Sequence, residues 1–398
     1  LKAAKKWKGQ DPDPATKAEL ADLIARAEAG DEAAGLELTE AFSAWVVFGT
    51  AGVRGRLGAG PGRMNEVVVH YLAEAVGAQL RQAASFGGIL IGYDARHKSA
   101  DFARISAEVL GGINFRPIVF GSPAPTPLVA FGVRHLDCMA GIAVTGSHNP
   151  AGDNGYKVFG GDGRQIIAPT DRRIQQAMVR VSKRPLFMMQ KTSDYRRLGD
   201  EVHEAYVERI ARVAGGPGPR EIRWVHTSLH GVAGAMVRRL AERLGYPAPI
   251  EVAEQAEPDP DFPTTPLPSP EEPGVLDLAV ALARAENADL VIANDPDGDR
   301  VAVAVPTDAE GGWRVLGGDE VGALLGDYLA RRGVTGTYVS TVASGSMLSQ
   351  IAAAHGLKHA ATLTGFKWIT RVEGLAYGYE EAQGYCCDPE AVADKDGL

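Results

Sequence analysis

Cysteine is scarce in this chain of 398 residues. Its three thiols, Cys138, Cys386 and Cys387, two of them adjacent, form neither a disulfide framework nor a zinc spacing. They read as reduced thiols packed like small apolar side chains, as expected of a cytoplasmic protein. Positive charge is short as well: 41 Lys and Arg face 50 Asp and Glu, a net charge of −9. A nucleic-acid surface needs a basic face, so no nucleic-acid partner is expected. The acidic total still allows phosphorylated small molecules, because a few Arg, Lys and metal ions focus positive potential inside a cleft. No apolar run approaches the ~18 residues of a membrane span, so no membrane partner is expected either. The opening Leu1-Lys2-Ala3-Ala4-Lys5-Lys6 is basic with no apolar stretch behind it, which is not the pattern of a signal peptide. It begins without Met, so the natural N-terminus is expected upstream.

What is present is an ordinary globular composition, 45% hydrophobic with 48 Gly and 24 Pro. Domains of ~100–200 residues make two to four of them the expectation. Pro14 through Phe42 reads as helical, with Leu20, Leu23, Ile24 and Ala27 at helical spacing. Further helical stretches run over 67–82, 100–110, 206–213, 234–244 and 275–285. Short apolar runs alternate with them and end in polar clusters, as in Ile89-Leu90-Ile91-Gly92-Tyr93-Asp94. Ala140-Gly141-Ile142-Ala143-Val144-Thr145 and Leu290-Val291-Ile292-Ala293-Asn294-Asp295 behave alike. Buried strands alternating with helices predict an α/β architecture of mixed sheets flanked by helices, and ligands in such sheets sit at the carboxyl ends of strands. The basic, poorly periodic stretch 182–199 and the proline-dense stretch 254–274 interrupt the pattern. The division expected is 1–185, a helical extension and a first domain; 186–305, a second; and 306–398, a third.

Four clusters carry chemistry. Thr145-Gly146-Ser147-His148-Asn149-Pro150 follows a strand and can project the Ser147 hydroxyl into a cleft, with His148 beside it to donate to a phosphate or move a proton. The alternative is a turn whose Ser147 and Asn149 bond only their own backbone. No G-x-S-x-G elbow surrounds the serine, which speaks against a hydrolase. Asp295-Pro296-Asp297-Gly298-Asp299-Arg300 closes another strand with three carboxylates, a donor set for a hard cation such as Mg²⁺. It lacks the distal Glu of a Ca²⁺-sensor loop. Gly378-Tyr379-Glu380-Glu381-Ala382-Gln383-Gly384 offers two carboxylates to sugar hydroxyls, and Phe48-Gly49-Thr50-Ala51-Gly52-Val53-Arg54-Gly55 is a phosphate cradle rather than a Walker loop.

In this order the four clusters resemble the α-D-phosphohexomutase superfamily of phosphoglucomutases, phosphomannomutases and their phosphopentomutase-like relatives. Asp153-Asn154-Gly155-Tyr156-Lys157, Leu229-His230-Gly231-Val232 and Leu363-Thr364-Gly365-Phe366-Lys367 extend the resemblance from about Phe48 to the C-terminus. It implies a phosphorylated serine at Ser147, and one Mg²⁺ held by Ser147, Asp295, Asp297 and Asp299. It assigns catalysis to Ser147, His148, Lys157, Arg54 and Lys395, and substrate binding to Arg300, Thr364, Gly365, Glu380 and Ala382. It implies four α/β domains around a central cleft, of which three similar ones are expected here. The fourth, with its Arg-Ser-Gly-Thr phosphate loop, is expected to be absent from the sequence given, and without it the clamp on the non-reacting phosphate is missing. Ala382 stands where many relatives carry a serine. The form Tyr-Glu-Glu-Ala-x-Gly, with Asp388-Pro389-Glu390 and Asp394-Lys395-Asp396-Gly397, is similar to the phosphoglucomutase-2/phosphopentomutase branch.

The function so implied is interconversion of hexose 1- and 6-phosphates, glucose first and mannose next, with a sugar bisphosphate as intermediate and activator. A phosphopentomutase, a sugar-1,6-bisphosphate synthase, a metal-dependent hydrolase and a non-catalytic sugar-phosphate sensor are the competing readings. Lys157 or Lys395 is expected to handle the substrate hydroxyl proton.

Overall fold

A computed structural model describes residues 1–83, 87–216, 218–308 and 312–398. Three sheets follow one another along the chain. The first has seven strands in the order Phe48–Gly49, Gly52–Arg56, Asp153–Gly160, Ala140–Val144, Gly88–Tyr93, Arg116–Phe120 and Arg196–Leu198. Its centre is parallel, and Asp153–Gly160 runs against both neighbours. The second orders Trp313–Val315, Val301–Pro306, Leu290–Asn294, Trp224–Thr227 and Ile250–Glu251; the third orders Lys358–Thr362, Thr337–Thr341, Leu375–Glu380 and Gly384–Cys386. Mixed sheets flanked by helices are the expected α/β layers. The apolar runs read as strands, Ile89–Ile91 and Ala140–Val144, are buried throughout because helices cover both faces.

Two sheets extend across expected boundaries. A division at 185/186 cuts the first sheet, since Arg196–Leu198 pairs with Ile118–Phe120 as its edge strand. A division at 305/306 cuts the second, whose Val301–Pro306 hairpin continues into Trp313–Val315. The single helix expected over 14–42 is two, Pro14–Glu28 and Glu32–Ser43. Gly30 takes φ +91 between them, and the Asp31 carboxylate caps the second helix by accepting from Ala34 N–H. These helices and Lys2–Gln10 pack Trp7, Leu20, Leu23 and Leu38 onto the core of the first domain. A second core lies between domains: Leu128 and Phe131 of the first, Met236 and Leu240 of the second, and Ala391 and Val392 from the end of the chain.

Main-chain bonds join the domains where the loops meet. Thr126 N–H donates to Asp297 O at 2.8 Å, Val301 N–H to Gln383 O at 3.2 Å, and Gly397 N–H to Gly298 O at 3.2 Å. Among the described residues no helix is long and apolar enough to cross a membrane.

Candidate active site

Each sheet contributes one loop from the carboxyl end of a strand. Ser147 follows Ala140–Val144, the aspartates follow Leu290–Asn294, and Glu380 ends Leu375–Glu380. The first two loops meet directly: Ser147 Oγ donates to Asp295 Oδ2 at 3.1 Å, across 148 positions of sequence. Ser147 takes φ +52, and its N–H donates to Thr145 Oγ1 at 2.7 Å. The Ser147 hydroxyl reaches across to Asp295 and Asn149 Nδ2 donates to the Asp153 carboxylate at 2.9 Å, so neither side chain is spent on its own backbone.

Asp295, Asp297 and Asp299 are fully buried, and one oxygen from each lies within 4.8 Å of the others. Gly298 allows that convergence. It takes φ +67, and a Cβ there would stand 3.2 Å from Pro125 and 3.3 Å from Ala233. Lys157 Nζ donates to Asp297 Oδ2 and Asp299 Oδ2, each at 2.7 Å, and Thr126 Oγ1 donates to Asp297 Oδ2 at 2.7 Å. Lys395 Nζ lies 3.2 Å from Asp299 Oδ1 and 3.7 Å from Glu380. Burial and the neighbouring Asp297 and Asp299 push Asp295 well above the usual carboxylate range. Burial opposes ionisation of Asp297 too, but Lys157 and Arg54 outweigh it and hold that carboxyl low. Asp297 Oδ1 and Asp299 Oδ1 are buried without a hydrogen bond among the described residues, the second having only its ion-pair contact with Lys395. Converging oxygens, two of them without a hydrogen bond, and a carboxylate destabilised by its neighbours fit a divalent cation with oxygen preference.

Beside this cluster lies a cleft of about 450 Å³ lined by Gly49, Thr50, Arg54, His148, Arg300, Thr364, Gly365, Glu380, Ala382 and Lys395, among others. Of the expected residues, Ser147, Lys157 and the aspartates stand behind its wall, and the rest form it. Arg54 Nε and Nη1 are buried without hydrogen-bond partners among the described residues. Arg300 Nη2 donates to His148 Nε2 at 3.1 Å. Burial first, then Arg300, Lys395 and Arg54, lower the His148 pKa to about 3, so its ring is neutral. Burial raises Glu380 against the pull of Lys395 and Arg300. A larger groove of about 1080 Å³ near Gly111, Asn114 and Lys191 holds none of these groups.

The Glu380-Glu381 pair divides, which corrects the expectation that both face sugar. Glu381 is the first residue past the strand, and its Oε2 accepts from Thr341 Oγ1 at 2.8 Å and Ser344 Oγ at 2.9 Å. Leu229-His230-Gly231-Val232 supports the aspartate loop: Val232 N–H donates to Pro296 O at 2.9 Å, and a Cβ on Gly231 would stand 2.3 Å from Pro296 Cα. Sequence reasoning missed Arg96, Thr126, Gln165 and Asp394. Arg96 Nη2 donates to Ser147 O at 2.6 Å, and Gln165, in the cleft wall, donates to buried Asp394 at 2.7 Å. Asp94-Ala95-Arg96, polar residues closing an apolar strand, was the available signal for the first; an isolated glutamine offers none.

Three family models of phosphoglucomutase/phosphomannomutase α/β/α domains match in succession: domain I over 46–185, domain II over 204–311 and domain III over 317–398. A Haemophilus influenzae protein named "Probable phosphomannomutase" is 42% identical over 340 residues, covering 84% of this chain and 70% of its own length. The Homo sapiens phosphopentomutase is 37% identical over 406 residues, covering 91% of this chain and 65% of its own length, just under two thirds. A crystal structure of a phosphoglucomutase/phosphomannomutase family protein from Burkholderia thailandensis superposes with a TM-score of 0.75 at 22% identity. That match covers 88% of this chain and 74% of the other, and carries the fold.

Proposed function

This chain belongs to the phosphoglucomutase/phosphomannomutase family of phosphomutases, and from that premise we propose that it moves a phosphoryl group between the 1- and 6-positions of a hexose, glucose first, through phosphorylated Ser147. The single observation that carries this is the Ser147 hydroxyl, 3.1 Å from a carboxylate of the buried three-aspartate cluster at the end of a cleft lined with Arg and Lys. Water-facing nucleophiles suit hydrolysis; a serine 1% exposed and stapled by Arg96 suits storage of a phosphoryl group.

In this reading Asp295, Asp297, Asp299 and phosphorylated Ser147 would hold Mg²⁺, which would neutralise charge on the transferring group. Arg54, with two unpaired N–H donors, and Arg300 fix the phosphate electrostatically. Glu380 accepts from sugar hydroxyls. His148, neutral and accepting from Arg300, offers its other ring nitrogen as a donor. The P–Oγ bond of Ser147 breaks as a bond forms to a sugar hydroxyl, whose proton must leave. We assign that proton to one of the two lysines beside the aspartates, Lys395 in the cleft wall or Lys157 behind it, which takes it in its unprotonated form. The resulting bisphosphate turns over, returns its other phosphate to Ser147, and also serves as activator. The unpaired thiols Cys138, Cys386 and Cys387 support a cytoplasmic setting.

The test is intact-mass analysis of the full-length protein before and after sugar phosphates. A gain or loss of one phosphoryl group, absent in Ser147→Ala, is the expected result; an unchanged mass with turnover intact would overturn the mechanism. A pentose reading is favoured by one feature, the Ala382 methyl in the cleft wall, together with the likeness to the human phosphopentomutase. Comparing kcat/KM for glucose, mannose and ribose 1-phosphates decides between them.

A further inference from the structure

The proline-dense segment has no part in the mechanism above, yet one of its side chains reaches the machinery. Phe262 is 3% exposed, and its ring centre lies 4.6 Å from Cζ of Arg96. Arg96 is the staple of the serine loop. Its Nη1 donates to Pro150 O at 2.7 Å and Asp153 O at 3.2 Å; its Nη2 donates to Ser147 O at 2.6 Å and Asn149 O at 2.5 Å. Nε lies 3.5 Å from the Asp94 carboxylate. The two terminal nitrogens are thus committed to the loop, Nε sits at ion-pair distance from Asp94 without a hydrogen bond, and Phe262 covers the flat face.

The two partners belong to different domains. Arg96 follows the strand Gly88–Tyr93 of the first sheet, while Phe262 lies between strands of the second, whose end carries Asp295. The segment is tied to the metal loop: Phe262 N–H donates to Asp259 O at 3.2 Å, and Asp259 N–H to His230 O at 3.0 Å. His230 precedes Gly231, which packs on Pro296. An unbroken line of contacts therefore runs from the aspartate loop through Phe262 and Arg96 to the Ser147 carbonyl. Neither Arg96 nor Phe262 lines the cleft.

We propose that Phe262 is a positioning residue for phosphoryl transfer: its ring, stacked on the desolvated Arg96 cation, registers the Ser147 loop of the first domain against the aspartate loop of the second. The inference rests on the phosphoserine reading. When a bisphosphate charges the enzyme, its P–O(sugar) bond breaks, a P–Oγ bond to Ser147 forms, and the serine proton ends on the sugar oxygen. Phe262 touches none of these atoms, so its effect is on where Oγ stands. In-line transfer is sensitive to such placement, a 1 Å error costing on the order of 100-fold. A ring over a buried guanidinium does this better than an aliphatic chain, because the attraction comes from the ring quadrupole and is strongest away from water.

The experiment compares the full-length protein with Phe262→Leu, which keeps apolar bulk, and Phe262→Tyr, which keeps the ring. Three quantities are read: the rate at which Ser147 gains a phosphoryl group from glucose 1,6-bisphosphate by intact mass, hydrogen exchange of the amides in 145–155, and the thermal midpoint. Phe262→Leu is expected to melt within about 4 °C of the parent. Its saturated phosphorylation rate falls about tenfold with half-saturation unchanged, and exchange in 145–155 quickens by a similar factor. Phe262→Tyr restores both. Parental rate and exchange in Phe262→Leu overturn the proposal, as does equal impairment of the two variants, which marks packing alone. A parent that gains no phosphoryl group refutes the phosphoserine reading instead, and the exchange comparison then decides the Phe262–Arg96 coupling by itself.

Discussion

Replacing Lys157 with methionine tests the electrostatic design of the site. Lys157 Nζ sits 2.7 Å from both Asp297 and Asp299, with side-chain exposures of 1% and 0%. At an effective dielectric constant of ~20, each contact is an attraction of about 6 kcal/mol. Desolvating an ammonium and two carboxylates consumes most of that, so the pair is not worth its Coulomb sum. What Lys157→Met measures is different: Asp297 left buried without its ion pair and Asp299 left with Lys395 alone, at a typical cost of about 3–5 kcal/mol. Methionine preserves the unbranched stem, which keeps the cavity contribution small. Denaturant unfolding in EDTA is therefore expected to show a loss of about 3–5 kcal/mol. A divalent cation can replace the missing charge, so Mg²⁺ should recover more stability in the variant than in the parent. The parent itself should gain about 2.7 kcal/mol at a concentration 100-fold above its Kd. A variant within about 1 kcal/mol of the parent in EDTA would refute the reasoning, because it would mean the three aspartates tolerate proximity without a cation. No Mg²⁺ response in either protein would refute the metal assignment.

Two further outcomes follow from the same geometry. Asp396 is buried, and its pKa is pushed up to about 7 by burial, against the lowering effect of the Tyr206 hydroxyl that donates to it at 2.7 Å. A raised folded-state pKa means that the folded protein holds the proton more tightly, so this contribution is fully present below the unfolded value near 3.8 and is lost as pH rises through about 7. Thermal midpoints of the parent should accordingly fall relative to Asp396→Asn between about pH 4 and about pH 7, the window set by those two values, and parallel pH profiles would contradict this. In Gly155→Ala, the new Cβ would stand 2.6 Å from Thr145 O, Val53 O and Arg54 Cδ. Two of those atoms are backbone and cannot yield, so a loss at or above the upper end of the usual ~1–3 kcal/mol for overpacking is expected. Phosphorylation of Ser147 should fall with it, and an unaltered midpoint would sink the close-approach argument.

The parts of the fold legible in the sequence are those whose chemistry is local. The helix expected over 234–244 is found at Gly234–Leu244, because Met236, Val237, Leu240 and Ala241 repeat at helical spacing and Gly245 closes it at φ +75. The strands before Ser147 and Asp295 stood out as continuous apolar runs between polar clusters. The break at Gly30-Asp31 was legible in principle, since a glycine followed by a capping aspartate is a stop and a start. Arg196–Leu198 was not. It is three residues long, two of them exposed arginines, and it counts as a strand only because Ile118–Phe120 lies beside it. An edge strand of that length has no periodicity to read.

The site divides along the same line. The serine and aspartate loops were readable because each gathers unusual chemistry within six residues. Arg96, Thr126 and Asp394 act on partners 51 to 229 positions away, and no local pattern encodes that. The end of the chain is the extreme case. Asp396 N–H donates to Tyr385 O, Gly397 N–H to Gly298 O, and Asn294 Nδ2 to Gly397 O, while Ala391 and Val392 enter the core between the first two domains. An irregular segment thus becomes the junction of all three domains, and in doing so it sets Lys395 against Asp299 and Glu380. The loops proposed to carry the reacting groups also carry the bonds between domains, as with Thr126 to Asp297 and Val301 to Gln383. The geometry of the candidate site and the domain arrangement are consequently one set of contacts, which is why a change as remote from the cleft as Phe262 can be expected to reach Ser147.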